Sequence, residues 1–575
     1  MYLKTSVAVP VAPGKIIFRE KAASTYVYFE TGRHYDPERK FNVPDRVIIG
    51  KLVDKDDKTR MLPRDGYFQQ HFPSVSIDET EPARVRSSTL RAGTYIVFKQ
   101  IVREYGLNEI LTEIFGDKSG LILDLACFMI VEKDNAGQYY PDYARCHPLF
   151  TPAMHVYSDS SITRILGEVT ESQIVSFLDK WNEKQDHRQR IYISYDSTNK
   201  NSRGDLDFAE FGHAKIDQGI PIINISLAFD KTNRVPLFYE EYPGSVNDIS
   251  MLQYLAEKVL TYGYRNIGLI LDRGYCSHDN INYMDEKQIS FLLMLKGNKA
   301  LVSELISERF GTFEHDHANL VLGTDIFAIT VEHELRKGDS KKRYFHLCFS
   351  PQKMASEREA LNISLDKMEA ELHKFEKREC IIEGDYAKYF NCHYQEKNGK
   401  QIFLFAQRNN EAINKAYREF GYFCLISSDK MTAAEAYSLY QGRDASEKLF
   451  RAQKTFPGAR SMRAHSNEAV SAKIFIEFLA LIIRNRFYNL LKDEMRRLNI
   501  RRNYMTVPAA IRELEKIEMT RRSGSIYKMD YALTKNQKSV LQCFGLSKDE
   551  IIQKTQEIAV VLSKTNDVIP AREEE

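Results

Sequence analysis

The sequence predicts an α/β protein: an α/β catalytic core interrupted by a β-rich insertion, with a β-rich N-terminal module and helical flanking regions. Three observations carry this. The apolar period changes from helical to strand type at Ile191. The runs that follow order as three strands, then helix, strand, helix, strand. With 575 residues, 43% of them hydrophobic, the chain can bury several cores, about three or four domains by length.

Residues 1–85 alternate short β-type runs (TYVYFE, RVIIGKLV) with turn-rich stretches and end in the polar segment SIDETEPARVRSS, a small module followed by a linker. Residues 86–190 turn helical: TYIVFKQIVREYGLNEILTEIF and SSITRILGEVTESQIVSFLDKW repeat apolar positions every three or four residues. Within 191–296, IYISYD, PIINISLAFD and RVPLFYEEY read as strands, NDISMLQYLAEKVLTYG as a helix, NIGLILD as a buried strand, HDNINYMDEKQ as a helix and ISFLLML as a strand. This is the order of a ribonuclease H-like fold, which closes with one more helix. Here that helix is delayed by an insertion, 297–429, with strand-like stretches and an amphipathic helix bearing Leu361, Leu365, Met368, Leu372 and Phe375 on one stripe. The strand GYFCLIS then leads to the closing helix, 430–456, whose start is marked by the capping-box pair Thr432 and Glu435. Residues 457–575 form a basic helical C-terminal region.

Several classes are excluded by composition. The longest apolar runs, 121–131 and 474–483, are short of the roughly 18 residues of a membrane span and each carries an acid. The start, MYLKTSVAVPVAPGK, lacks a signal-peptide run, so a cytoplasmic location is expected. The eight cysteines are scattered without a C-x-x-C pair, which points to reduced thiols. Net charge is only +2, but between Tyr440 and Asp530 there are 19 Lys and Arg against 10 Asp and Glu, an excess of nine that leaves −7 for the rest. A local basic excess of this kind suits a polyanion or a solvated helical face.

The stretch YQGRDASEKLFRAQK brings the chemistry. At 100° per residue, Tyr440, Arg443, Glu447, Phe450 and Lys454 fall within an arc of about 80° on one helix face. Taken alone, Arg443 and Glu447 fit an i,i+4 surface pair as well as a site. Asp196 ends IYISYD and Asp272 ends NIGLILD; each alone could be a turn residue. Together with Glu447 they offer three hard oxygen ligands of the kind that Mg²⁺ prefers, and two such ions suit an in-line phosphodiester displacement. Other motifs are weaker. Asp205 and Asp207 form a carboxylate pair in a polar loop, His213 and His278 lack ligand spacing, and Gly50-Lys51 lacks the remainder of a phosphate-binding loop, so ATP use is not expected.

On these residues the chain resembles the DDE transposases of bacterial insertion sequences, specifically the IS-four superfamily with its Y-(2)-R-(3)-E-(6)-K signature, matched by Tyr440, Arg443, Glu447 and Lys454. LDRGYCSHDNI and YDSTNKN resemble the surroundings of the family's two aspartates, and the similarity extends more weakly through TGRHYDPERKFNVPDRVIIGKL and LTKNQKSVLQCFGLS. The resemblance implies that Asp196, Asp272 and Glu447 are catalytic and hold two ions, Mg²⁺ or Mn²⁺. It implies that Tyr440, Arg443, Lys454 and, less directly, Arg273 contact the DNA backbone. It further implies action on terminal inverted repeats and target DNA, a homodimer on DNA, a bacterial, nucleoid-associated setting, no membrane and no ATP. The block 86–190 is then a candidate DNA-end-binding region or a packing scaffold. Trp181, upstream of the first aspartate, departs from the downstream aromatic that some relatives stack on a flipped base. A ribonuclease H-like nuclease without strand transfer, or a non-catalytic DNA-binding descendant, stays open.

Overall fold

The change of apolar period at Ile191 corresponds to the first strand of a nine-stranded sheet. The computed structural model describes residues 2, 6–21, 24–37, 40–55, 57–64, 67–73, 75, 86–202, 206–212, 219–246, 248–295, 299–339, 341–397, 399–442, 461–462, 466–499, 505–522 and 525–564. Chain contacts divide it into two units: Met1–Ser88 with Arg521–Tyr527 and Ala559–Glu575, and Thr89–Thr520 with Lys528–Ile558.

The first unit holds a five-stranded antiparallel sheet in the order Val7–Ala8, Arg60–Pro63, Phe41–Leu52, Ser24–Asp36, Ile16–Lys21. Alternation along these strands sends Val27, Ile49 and Met61 into one core with Phe68. Gly50 lies inside a strand, so the Gly50-Lys51 pair is no phosphate loop.

In the second unit the helices α1 (Gly93–Glu104), α2 (Leu107–Phe115), α3 (Ser119–Glu132), α4 (Asp159–Gly167) and α5 (Glu171–Glu183) form a block. The acid in the apolar run of α3, Asp124, is buried but satisfied: it accepts from Phe150 N at 2.7 Å, Thr151 N at 2.9 Å and Thr151 Oγ1 at 2.6 Å. Trp181 of α5 is buried and donates its indole N–H to Pro236 O at 2.9 Å, a packing role.

The sheet follows: β1 (Ile191–Ser202), β2 (Ile222–Asp230), β3 (Val235–Pro243), helix α6 (Asp248–Thr261), β4 (Ile267–Leu271), helix α7 (His278–Glu286) and β5 (Ser290–Met294). From the insertion come β6 (Phe327–Glu334), β7 (Lys342–Phe349), the long helix α8 (Pro351–Leu372) and β8 (Tyr422–Ser427). The strand order is β6-β7-β8-β5-β4-β1-β2-β3. β1 runs parallel to β4 and β4 to β5, while β1-β2-β3 form an antiparallel meander. Three strands of the insertion thus extend the sheet instead of standing apart from it, and the rest of the insertion builds a small core of its own around Leu365, Phe390 and Phe403.

Helix α9 (Ala433–Gln441) starts where the sequence placed it. Thr432 Oγ1 accepts from Glu435 N at 3.2 Å, and Glu435 returns the bond to Thr432 N at 2.8 Å. A short strand β9 (Ser461–Met462) pairs in parallel with Asn201 and Ser202 of β1. Helix α10 (Asn467–Arg497) packs against α1, α3, α4, α5 and β3 and is buried on nearly every side, Lys473 and Asn485 included. Within the region 457–575, expected to be basic and helical, this helix is therefore over most of its length a core helix. Its apolar residues Ile474, Phe478 and Leu481 are buried, and so is Glu477 between them. No disulfide joins any of the eight cysteines, and no helix among the described residues is long and apolar enough to cross a membrane.

Candidate active site

Asp196 does not end its strand. β1 continues six residues beyond it to Ser202, with Ser197, Thr198, Asn199 and Lys200 buried and paired along β2. Asp272 follows β4 directly and caps a short turn, accepting from Arg273 N at 2.6 Å. The register pairs Ile270 with Ser194 and Leu271 with Tyr195. The next pair along these parallel strands is Asp272 with Asp196, roughly 5 Å apart by strand spacing.

Both carboxylates belong to one face of the sheet. On β1, Tyr192, Ser194, Asp196, Thr198 and Lys200 alternate onto it, and on β4 so do Gly268 and Ile270. The close approach of the two strands' side chains confirms the register: a Cβ at Gly268 would lie 2.7 Å from the Tyr192 ring. This face is covered from both ends of β1. Near Tyr192, α9 packs Ala436 and Tyr440 against Ile270, Leu292 and Leu425. Beyond Asp196, α10 brings Glu477 onto Lys200 in a buried ion pair and Phe478 against Tyr239, their rings 5.1 Å apart. Between the two covers stand half-buried Asp196 and Asp272.

Lys231 secures the end of α9. Its ammonium donates to Ser438 O at 2.8 Å and Leu439 O at 2.7 Å, meeting carbonyls that a helix C-terminus leaves open. Burial pushes its pKa down to about 8. Gly442, the C-cap of α9, lies directly against the end of the Lys231 side chain.

Sequence reasoning put Tyr440 among the DNA contacts. Its ring is buried, with 8% of its surface exposed, so its packing role is to anchor α9 on the sheet. Arg273 is exposed beside Asp272, and His278 accepts from Arg336 Nε at 3.2 Å. Arg443, Glu447 and Lys454 lie outside the described residues, as do Asp205 and His213. Asp207 is exposed and accepts from Asn467 Nδ2 at 2.6 Å, an interaction with the first turn of α10 that leaves it no part in the pair of Asp196 and Asp272. What sequence reasoning missed is the buried set around Lys200 and Glu477. Its members are Glu241, which accepts from Ser471 Oγ at 2.9 Å, and Asn135, which donates to Glu477 at 3.3 Å. Its one signal in the sequence is the isolated lysine of STNKNS.

Two aspartates at neighbouring register positions of adjacent parallel strands are an arrangement able to bring hard oxygen ligands to one point of a sheet. Residues 188–483, just over half of the chain, match the family described as Transposase DDE domain, and the chain belongs to that family. Among solved structures, the piggyBac transposase in a synaptic complex with hairpin DNA aligns with 83% of this chain and 88% of its own, at 10% identity and a TM-score of 0.37. The Mos1 transposase, in a paired-end complex with the left transposon end, aligns with 30% of this chain and 57% of its own, at 10% identity and a TM-score of 0.14. Neither score is high enough to equate the folds. No curated protein matches.

Proposed function

We propose that this chain is a DNA transposase of the IS-four superfamily, with a ribonuclease H-like core that cuts phosphodiesters at the ends of an insertion sequence and joins the 3′-hydroxyl to target DNA. The observation that carries the reading is the alignment of Asp196 with Asp272 on neighbouring parallel strands, under a face capped by α9. The meander β1-β2-β3 followed by parallel β4 and β5 supports the ribonuclease H-like assignment.

Glu447 is the third acid of this reading. The described residues on either side of 443–460 meet opposite ends of β1: Gly442 stands against Lys231, whose N–H bonds Tyr192 O at 2.8 Å, and Ser461 pairs with Asn201. Asp196 lies between those two anchors, which supports Glu447 as its partner.

The donor chemistry fits divalent cations, since carboxylate pairs on one sheet face are the oxygen ligands that Mg²⁺ and Mn²⁺ take. Asp196, Asp272 and Glu447 would hold two such ions, which when bound supply electrostatic stabilisation for charge developing on the phosphate oxygens. The chain itself orients the site: Asp272 is fixed by the Arg273 N–H, Asp196 by the Ser197 N–H at 2.9 Å, and α9 by Lys231 and Tyr440. Arg273, Arg443 and Lys454 grip the phosphate backbone, as guanidinium and ammonium groups do. The partners of this reading are duplex DNA at both terminal repeats and target, held by a homodimer.

The test is cleavage and strand joining on a duplex carrying the element's end, with Asp196→Asn, Asp272→Asn and Glu447→Gln. Each is expected to lower cutting by roughly a thousandfold or more while duplex binding persists, and calorimetric Mn²⁺ binding should weaken in all three. Cutting that survives Glu447→Gln removes Glu447 from the site. Cutting without joining in the wild type leaves a nuclease of the same core.

A further inference from the structure

The family match begins at residue 188, so it gives the N-terminal sheet no role. That sheet has two different faces. One carries Val27, Ile49 and Met61 into the core. On the other, the register sets Arg19 and Lys51 on either side of Tyr26, and Tyr28 beside Ile17 and Ile48. Arg19 lies over the Tyr28 ring, 5.6 Å from its centroid, and the Tyr2 ring approaches Tyr26 at 6.0 Å, with Arg64 paired across from Tyr2.

The charge on this face is one-sided. Arg19 and Lys21 are exposed, and Lys51, Tyr26 and Tyr28 are partly so. Among the described residues no carboxylate lies within ion-pair distance of Arg19, Lys21 or Lys51. The acid that shares the face, Glu30, is buried and already accepts from Arg33 Nε at 2.7 Å and Arg46 Nη2 at 3.5 Å. Cations that no described carboxylate pairs, interleaved with tyrosines, form the footprint of a polyanion.

We infer that this open sheet face of the N-terminal unit is a duplex DNA-binding surface, in which Arg19, Lys21 and Lys51 contact phosphates and Tyr26 and Tyr28 lie against the sugar-phosphate edge. The inference rests on the proposed function only for the choice of DNA among polyanions. It also makes this module, in addition to or in place of the helical block 86–190, a holder of DNA ends.

The test uses the full chain and a short B-form duplex, read by fluorescence anisotropy over a salt series. Combined Arg19→Glu, Lys21→Glu and Lys51→Glu should weaken binding roughly tenfold or more and reduce the log–log salt slope by about 3, near 0.9 per lost phosphate contact. The same three positions changed to Gln, checked by circular dichroism, should show the loss in smaller degree with the fold intact. A control with Lys367, Lys374 and Lys415, exposed cations of the insertion, changed to Glu should leave the slope nearly unchanged. Unchanged affinity and slope in the folded Gln variant overturn the inference. So does a loss confined to single-stranded RNA or to anionic lipid vesicles. Asp196→Asn, run alongside, separates the two claims. If it abolishes cutting while the sheet variants bind normally, this inference fails and the transposase reading stands. If the sheet variants lose the duplex and the wild type never cuts, the reverse holds.

Discussion

Glu241 shows how far a single residue's behaviour departs from its sequence appearance. It sits in β3 on the face that α10 covers, and burial, helped by the carboxylates of Glu171 and Glu477 and opposed by Ser471 and Lys200, pushes its pKa up to about 7. A carboxyl with a raised folded pKa binds its proton more tightly in the native state. Its contribution to stability is therefore full below the unfolded value near 4.5 and is lost as pH rises through about 7. Glu241→Gln should remove that dependence and leave the variant more stable than the wild type above pH 7 by roughly 1–3 kcal/mol. Urea melts at pH 5 and pH 8 measure it, and identical pH slopes in the two proteins would show that another group titrates. At this scale the place of Asp272 at the end of β4 was legible, because a buried apolar strand ending in an acid is a local pattern. Asp196 was set at a strand end, whereas its strand runs on to Ser202. The residues after it, STNKNS, have turn chemistry, and only pairing with β2 and cover by α10 hold them extended. The buried partners Lys200 and Glu477 stand 277 residues apart, a separation that no local signal bridges.

Among the elements, α9 and α10 differ in how openly the sequence declared them. The capping box Thr432–Glu435 is a local hydrogen-bond pattern, so α9 starts where expected. The burial of α10 on all sides depends on which helices surround it, and a helix with charges at regular spacing reads as a surface helix until those neighbours are known. Its attachment to β1 runs through the Lys200–Glu477 pair, both partners buried. Glu477→Ala leaves the Lys200 ammonium under α10 without its counterion and should cost about 3–5 kcal/mol of unfolding free energy. The double variant Lys200→Met with Glu477→Leu should recover most of that loss, since apolar side chains of similar volume replace a buried ion pair at little cost. Equilibrium denaturation of the three proteins decides it. A cost below about 1 kcal/mol for Glu477→Ala would mean that water reaches the pair. Gly268 belongs to the same scale: the Tyr192 ring occupies the space of a side chain there, locking β4 to β1 just ahead of the two aspartates.

Across the whole molecule, the nine-stranded sheet is assembled from distant pieces of chain, and one excursion from it closes on itself. β7 leaves the sheet at Phe349 and β8 returns at Tyr422, and these two residues are partners in the antiparallel ladder. Ser350 N bonds Gly421 O at 2.9 Å, so the segment 351–420 begins and ends at one point. Within it, α8 and the hairpin Phe390–Arg408 share a core of Leu365, Leu372, Phe390, Phe403 and Ile413, separate from the cores beneath α9. The sequence announced an insertion by interrupting the strand and helix order, but it could not show that β6, β7 and β8 on either side of this excursion belong to the main sheet. Pairing between strands is set by long-range register, not by composition. If the excursion carries its own core, replacing 351–420 by an Asn-Gly turn should convert β7 and β8 into a direct hairpin without unfolding the sheet. The shortened chain should remain soluble and monodisperse, melt cooperatively within a few degrees of the parent, and keep whatever Mn²⁺ affinity the parent has under the function proposed above. Aggregation, or loss of the cooperative transition, would mean instead that contacts such as Ser303 to Glu419, 2.8 Å apart, make the excursion part of the sheet's own support.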